Sequence, residues 1–433
     1  MTYNIEADIS VSNKQPTFTN NVSSSAAGAP LPGLITPPTD TNNFTAGGSL
    51  EGIGEEILSG NAQPFDILAL QETTSNAKTI APIVAALNLF YTAHNLRARY
   101  TNSTYQATES GGDAGDGNGP NAIIYDTLTV QLLASTPVDP SGGTGQLGSS
   151  SGEYREVMRY QFAPAGVAAN TTNTFYIYVS HYKSGTGSSN EEYRDGEAQI
   201  VRSNMMTLPA TARILHVGDF NTGDASEAMY ATLTAPGTNQ LFDPLNLSRS
   251  LTTNFDGSAT TVNLTDSATE LRYRDDYQMM TTNVYFGTGG GLKLISGTYH
   301  VFGNNGTIAY EGTVNSGGNT ALTNLIANPP ISKAQLLVDL TGASDHLPFV
   351  ADYTIPLPAP IINNISLAGT NLTFSVVNSV TGAVFTVLAA TNLVSPNWTP
   401  VATNLSGGGN FTFTATNVLS PAIPAEFFQL QEK

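Results

Sequence analysis

Short apolar runs that stop abruptly at a polar cluster constrain this chain more than any other feature of it. The segment "RILHVGDFNTGD", Arg213 to Asp224, shows the pattern. Ile214, Leu215 and Val217 have the length and β-branched content of a buried strand, and Gly-Asp-Phe-Asn follows where that strand would emerge. In an α/β protein, ligands bind at such ends. The pattern recurs: Glu72 follows "DILALQ", His181 follows "FYIYVS", Asp219 and Asn221 flank Phe220, and Asp345-His346 precede "LPFVADY". Asn4 closes a first strand in "MTYNIEAD", and Asp276 opens "DYQMM". Carboxylates, amides and two histidines at strand ends suit a hard divalent cation and a phosphate ester. Mg²⁺ fits best, since it prefers one or two carboxylates, several waters and a phosphate oxygen, with Mn²⁺ or Ca²⁺ as alternatives.

Each of these residues has a plainer reading on its own. Glu72 or Asp219 could be a helix cap or turn residue, and Ser344 could cap a turn in "SDH". His181, like His94, His216 and His300, could be a satisfied core or surface histidine. The order of the whole set carries the functional reading.

Between the motifs, the chain reads as alternating strands and helices. Residues 10 to about 48 are polar and rich in Pro and Gly, which predicts a long loop. A short helix is expected around 50–58, a buried strand in "FDILALQET", and a helix in "NAKTIAPIVAALN". "PNAIIYD", "VMRYQFA" and "TFYIYVSHY" read as further strands. Ala198, Val201 and Met205 recur at helical spacing and predict an amphipathic helix over 192–206. "DDYQMMTTNV" and "HLPFVADY" are later strand candidates. Strands that alternate with helices early and dominate later imply mixed sheets with helices outside them. "TIPLPAPII" carries Pro356, Pro358 and Pro360 and reads as a stiff linker. Beyond it, strand-like runs follow at short intervals around the single Trp398, as in a small β-sandwich of Ig-like size. The expected organisation is a catalytic domain over 1–353, a linker over 354–361 and a β-sandwich over 362–433.

Composition excludes several functions. A net charge of −18 opposes passive binding of DNA or anionic membranes through a basic patch. The chain has no cysteine, so thiolate metal sites, disulfides and cysteine nucleophiles are ruled out. Charged residues make up only 12%, which leaves a surface of Ser, Thr, Asn and Gly and suggests an extracytoplasmic protein. No stretch is apolar and long enough for a transmembrane helix, and the strand-like opening suggests that Met1 replaces an upstream segment such as a signal peptide.

The motifs in this order resemble the endonuclease/exonuclease/phosphatase superfamily of metal-dependent phosphoesterases. The resemblance spans residues 1 to about 353: "TYNI" with Asn4, "LALQET" with Glu72, "REV" with Arg155, "SHYKSG" with His181, "GDFN" with Asp219 and Asn221, "RDDYQMM" with Asp276, and "SDHLPF" with Asp345 and His346. It implies an α/β fold, a four-layer α/β/β/α sandwich of two mixed sheets. It also implies roles. Glu72 would bind the metal, with Asn4 and Asp345 in or near its shell. Asp219 would orient or deprotonate the attacking water, and Asn221 would hold a phosphate oxygen. Asp276 would orient His346, and His346 and His181 would flank the phosphate. The resemblance leaves open which of Asp219 and His346 is the base.

Arg155 and Lys183 are candidates for cationic contacts to phosphate, with a surface salt bridge as the alternative; Arg194 reads as structural. One departure stands out. Secreted DNases carry a Glu near the strand "NAIIYD" as partner to the first histidine, and Asn121, Ala122 and Ile123 stand there instead. The Gly/Asp-rich "ESGGDAGDGNGPN", with Asp113, Asp116 and Asn118, misses EF-hand spacing and reads as a loop beside the site. The expected protein is a secreted, monomeric phosphoester hydrolase, an extracellular nuclease or phosphodiesterase, whose β-sandwich contacts a cell surface or matrix. A sphingomyelinase-like lipid phosphodiesterase, a phosphomonoesterase and a non-catalytic adhesion protein on the same fold are the alternatives.

Overall fold

A computed structural model of the chain describes residues 1–5, 64–73, 80–81, 83–85, 87–88, 98–103, 121–138, 155, 157–222, 225–246, 261–323, 333–357, 360–377, 384–405, 411–416, 418 and 426–432. The loop expected at 10–48, the helix expected at 50–58, His94 and the Gly/Asp-rich segment with Asp113, Asp116 and Asn118 lie outside them. The chain forms two compact units. One comprises Met1–Phe162 and Thr174–Thr354, the other Ala163–Asn173 and Ile355–Lys433.

In chain order up to Thr354 the chain forms β1 (Thr2–Asn4), β2 (Ile67–Gln71), β3 (Tyr100–Asn102), β4 (Ala122–Asp126), β5 (Val130–Pro137), β6 (Met158–Pro164) and β7 (Phe175–His181). There follow α1 (Ser188–Met206), β8 (Ile214–Asp219), α2 (Ala228–Leu233), β9 (Leu241–Phe242), β10 (Asp276–Thr281), α3 (Thr282–Phe286), β11 (Lys293–Leu294), β12 (His300–Val301), α4 (Lys333–Ala343), β13 (Phe349–Val350) and β14 (Tyr353–Thr354). Two six-stranded sheets result, in the orders β12-β13-β1-β2-β4-β3 and β5-β6-β7-β8-β10-β9. Both are mixed, because β1–β2 and β7–β8 run parallel while the neighbours around them are antiparallel.

Side-chain alternation along these strands decides what faces what. In the first sheet, Tyr3, Leu68, Leu70 and Ile124 share a buried cluster with Ile80, Ile83 and Leu87 and with Leu336 and Leu340 of α4. In the second, Tyr178, Ile214, Tyr277 and Met279 share one with Ala198, Val201 and Met205 of α1 and Leu233 of α2. The outer face of each sheet is thus covered by helix. The alternate residues face the other sheet, where β1 and β2 lie against β7, β8 and β10. Gln278 Nε2 donates to Phe349 O (2.8 Å) and Asn121 Nδ2 to Val179 O (3.4 Å) across this interface.

Two boundaries differ from expectation. The helix expected over 192–206 begins at Ser188, directly after Gly187, whose φ of 108° turns the chain into it. "DDYQMMTTNV" does not stay extended through Val284: β10 ends at Thr281, and α3 follows. Asn283 explains the turn, since its amide donates to Thr211 O (2.8 Å) and Ala212 O (3.0 Å) while its Oδ1 accepts from Thr281 Oγ1 (2.5 Å).

In the second unit, β15 (Ile361–Ala368), β16 (Asn371–Val377), β17 (Val384–Ala390), β18 (Thr399–Leu405), β19 (Phe411–Ala415) and β20 (Phe427–Glu432) form two three-stranded antiparallel sheets, β15-β16-β19 and β18-β17-β20. Phe374, Val376 and Phe413 of one meet Val387, Phe428 and Leu430 of the other in a single cluster. Trp398 is only half-buried, so this core rests on phenylalanine.

Gly218 is the one position in β8 where a side chain has no room. Its φ is 139°, and a Cβ there would collide with the backbone of Ser180 on β7. Gly218→Ala is expected to lower the unfolding free energy by about 3 kcal/mol or more, through overpacking and a disfavoured backbone conformation. Urea denaturation followed by circular dichroism measures this, and an unchanged midpoint would contradict it.

Candidate active site

Register assembles the site. β7 and β8 pair in parallel with His181 opposite Asp219, and β10 pairs antiparallel to β8 with Asp276 opposite Asp219. Neighbouring strands lie about 4.8 Å apart, so all three side chains emerge side by side on the face turned toward the first sheet. From that sheet, β1 and β2 bring Asn4 opposite Gln71, with Glu72 the next residue. Glu72 and Asn221 both adopt left-handed backbone, φ 54° and 47°, a conformation uncommon outside glycine and frequent where a chain leaves a strand at a functional site.

Asp219 Oδ2 is the point of convergence. Asn4 Nδ2 donates to it at 3.0 Å, His181 Nε2 lies 3.5 Å away and His346 Nε2 3.7 Å away. Glu72 Oε1 accepts from Asn4 Nδ2 (2.9 Å) and lies 3.4 Å from His181 Nε2. Asp219 Oδ1 accepts the backbone N–H of Asn221 (2.9 Å), and Asn221 Nδ2 donates to Tyr182 O (3.1 Å). His346 Nδ1 lies 2.8 Å from Asp276 Oδ2. Ser344 caps the turn that carries His346, accepting its N–H (3.0 Å) and donating to Asn4 O (2.7 Å), which ties this turn to β1.

Charge in this cluster is strongly lopsided. Burial pushes the Asp219 carboxyl up to about 7; His346 opposes the rise, Asp276 adds to it, and the hydrogen bonds from Asn221 and Asn4 oppose it. For His346, burial alone would lower the imidazole, but Asp276, then Asp219 and Asp345, hold its protonated form and leave it well above its ordinary value. Two carboxylates without a sequence signal of their own join the group. Asp266 is raised to about 6 by burial, and Asp275 is raised well above its ordinary value by burial and by Asp219. Asp266 sits in an irregular polar run with no periodicity, and its bridge to His346 closes a long loop. Asp275 precedes Asp276 in "RDD"; the register sets Asp276 opposite Asp219, and the Asp275 carbonyl accepts the N–H of Phe220 (2.7 Å).

The other expected residues divide. Asp345 is half exposed, with Oδ1 3.9 Å from His346 Nε2, and groups with Asp266 and His346. Arg155 is buried rather than on the surface, and its guanidinium is turned to Tyr182 O (2.6 Å) and Ser184 Oγ (3.1 Å). Lys183 is half-buried beside them. Arg194 pairs with Glu227 (2.8 Å), a contact that fits its structural reading. His216 is buried against Ser180 Oγ (2.7 Å) on the outer face of the second sheet, and burial lowers it to about 3. His300 Nδ1 meets Thr298 O (2.8 Å).

The donor set fits a divalent cation. One oxygen each from Glu72 and Asp219 and a nitrogen of His181 all lie within 4.8 Å of one another, surrounded by an excess of carboxylates. Hard oxygen donors with a single imidazole match Mg²⁺ or Mn²⁺ better than a soft metal.

No family model and no curated protein matches the chain. Solved structures do. The chain is similar to the human Nocturnin catalytic domain, with 17% identity over 53% of this chain and 71% of that one and a TM-score of 0.36. An endonuclease/exonuclease/phosphatase from Bacteroides vulgatus shares 15% identity over 67% of this chain and 85% of its own, with a TM-score of 0.38. One from Beutenbergia cavernae shares 14% over 99% of this chain and 98% of its own, also with a TM-score of 0.38. At such distances the functional reading rests on the residues themselves.

The raised Asp219 carboxyl has a consequence for stability. Between its ordinary value of 3.8 and about 7, the folded metal-free chain keeps a proton that the unfolded chain has released. Stability therefore falls as pH rises through that window. Asp219→Asn removes this dependence. In EDTA, its unfolding free energy relative to wild type is expected to rise by about 2–4 kcal/mol from pH 4 to pH 7.5. Urea melts across this range test it, and a constant difference would contradict the buried, proton-retaining carboxyl.

Proposed function

We propose that this protein is a divalent-metal-dependent phosphoester hydrolase of the endonuclease/exonuclease/phosphatase superfamily, and within that class an extracellular nuclease or phosphodiesterase. The observation that carries the reading is the convergence of Asn4, His181 and His346 on one oxygen of Asp219, with Asp276 behind His346.

Asp219, within the set that would hold the cation, is the group placed to orient the attacking water; in the metal-free chain burial raises its carboxyl. Asp276 takes Nδ1–H of His346, which fixes the ring orientation and turns Nε2 toward the space beside Asp219. An imidazolium held there donates to a phosphate oxygen and stabilises the charge that builds during in-line displacement. His181 stands on the other side of Asp219, and Asn221, anchored through Asp219 and Tyr182, is the amide assigned to a phosphate oxygen. Glu72, Asp219 and His181, with Asn4 beside them, would hold the cation, and Asp345 would lie toward its outer shell. When bound, the cation supplies Lewis-acid charge to the phosphoryl group. Lys183 remains a candidate phosphate contact, whereas Arg155 acts on the backbone that follows His181.

The low content of charged residues, which leaves a surface of Ser, Thr, Asn and Gly, supports an extracytoplasmic protein. The C-terminal pair of three-stranded sheets supports a β-sandwich module of Ig-like size, with attachment as its role.

Hydrolysis of bis(p-nitrophenyl) phosphate, p-nitrophenyl phosphate, plasmid DNA and sphingomyelin, with Mg²⁺, Mn²⁺, Ca²⁺ or EDTA, tests the reading. Turnover of a diester is expected with Mg²⁺ or Mn²⁺, none in EDTA, and a loss of about 10²–10⁴-fold in His346→Ala. Turnover indifferent to both EDTA and His346→Ala would overturn it.

A further inference from the structure

The backbone that follows β7 is pinned residue by residue. Tyr182 N–H donates to Asp219 O (2.9 Å), and Tyr182 O accepts from both Arg155 Nη1 (2.6 Å) and Asn221 Nδ2 (3.1 Å). Lys183 N–H donates to Glu197 Oε2 (3.2 Å). Arg194 Nη1 donates to Lys183 O (2.9 Å) and Gly185 O (3.0 Å), and Arg155 Nη2 to Ser184 Oγ (3.1 Å). Glu197 closes the circuit, because its Oε1 accepts the backbone N–H of Arg155 at 2.7 Å.

Glu197 and Arg194 stand three residues apart on α1 and so share a face. Arg194 is itself aligned by a two-point pair with Glu227, Nε to Oε2 at 2.8 Å and Nη2 to Oε1 at 2.9 Å. Glu197 is fully buried. A carboxyl in that position is costly to desolvate, and an apolar residue would serve the helix face at less cost. What it provides is two acceptor oxygens for N–H groups on two separate segments, which no apolar residue could do.

We propose that Glu197 is a positioning residue for the hydrolytic site. By joining the N–H groups of Arg155 and Lys183, it fixes Tyr182 O, and through that carbonyl it fixes the Asn221 amide beside Asp219. A carbonyl oxygen only accepts, so Tyr182 O must face Nδ2 of Asn221 and thereby decides which way its Oδ1 points. The activity readout of this proposal rests on the hydrolytic function proposed above; the structural readout does not.

Glu197→Gln tests it, because glutamine keeps the shape but replaces one acceptor by a donor, so both N–H groups can no longer be satisfied. In metal-free protein, the side-chain amide signals of Asn221 in ¹⁵N–¹H spectra are expected to shift and exchange at least about tenfold faster. On bis(p-nitrophenyl) phosphate, kcat is expected to fall about 10–100-fold with KM within about threefold. In an Asn221→Ala background, the same substitution is expected to cost less than about threefold, because its route of action is gone. Unmoved Asn221 signals, or a full loss in the Asn221→Ala background, would overturn the proposal. Wild-type protein silent on every ester would overturn the hydrolytic reading and leave the amide signals to decide the positioning one. If urea melts show Glu197→Gln to be unfolded, Arg155→Lys, which removes the contact to Tyr182 O and keeps the N–H to Glu197, is expected to move the same signals; unmoved signals there would likewise overturn it.

Discussion

The in-register pairing of β7, β8 and β10 around Asp219 is the constraint on which the site depends. It places His181 and Asp276 on either side of one buried carboxyl, and a slip of one residue on any of these strands would send its site residue to the helix-covered face. Gly218 is part of the same constraint, since it lets β7 and β8 meet immediately before the strands release their polar ends. The second sheet alone would supply three side chains. Asn4 and Glu72 from the first sheet complete the group, and the hydrogen bond from Asn4 to Asp219 joins them to it.

Such a cluster is costly to fold. Asp219, Asp266 and Asp275 are all displaced upward, first by burial, and His346 is held protonated among them. Glu72 and Asn221 add left-handed backbone at the same place. The apolar clusters on the outer faces offset this cost, while α1 holds the backbone behind His181 through Arg194 and Glu197. The carboxylates and imidazoles are thus held in place both by their mutual contacts and from behind by α1.

Much of this was legible in the sequence because strands have a period of two. A polar residue at the end of "ILHVGD" or "FYIYVSH" shares its parity with the inward residues before it, so strand ends can be read as sites. The helix containing Ala198, Val201 and Met205 was legible for the corresponding reason, its spacing. Contacts between distant segments were not. Asn4 and Asp219 are 215 residues apart, His346 and Asp276 are 70 apart, and only the family resemblance paired the latter two. Asp266 gave no signal, because a single Asp in a polar loop looks like any other. Arg155 illustrates the opposite difficulty: a cation near a phosphate motif reads as a phosphate contact, while the fold turns its guanidinium to a backbone carbonyl. Glu197 falls within the helix expected over 192–206 without any signal of its own, and its burial depends on where the loop after β7 returns.

Residues from both sheets are proposed to form one cation site around Asp219. Titrating Mn²⁺ into EDTA-cleared protein, with free Mn²⁺ followed by electron paramagnetic resonance, tests it most directly. One site per chain is expected, weakened at least about tenfold in Glu72→Gln and in Asp219→Asn and unchanged in Lys183→Ala. Mn²⁺ binding that survives both carboxylate substitutions, or its absence from the wild type, would contradict it.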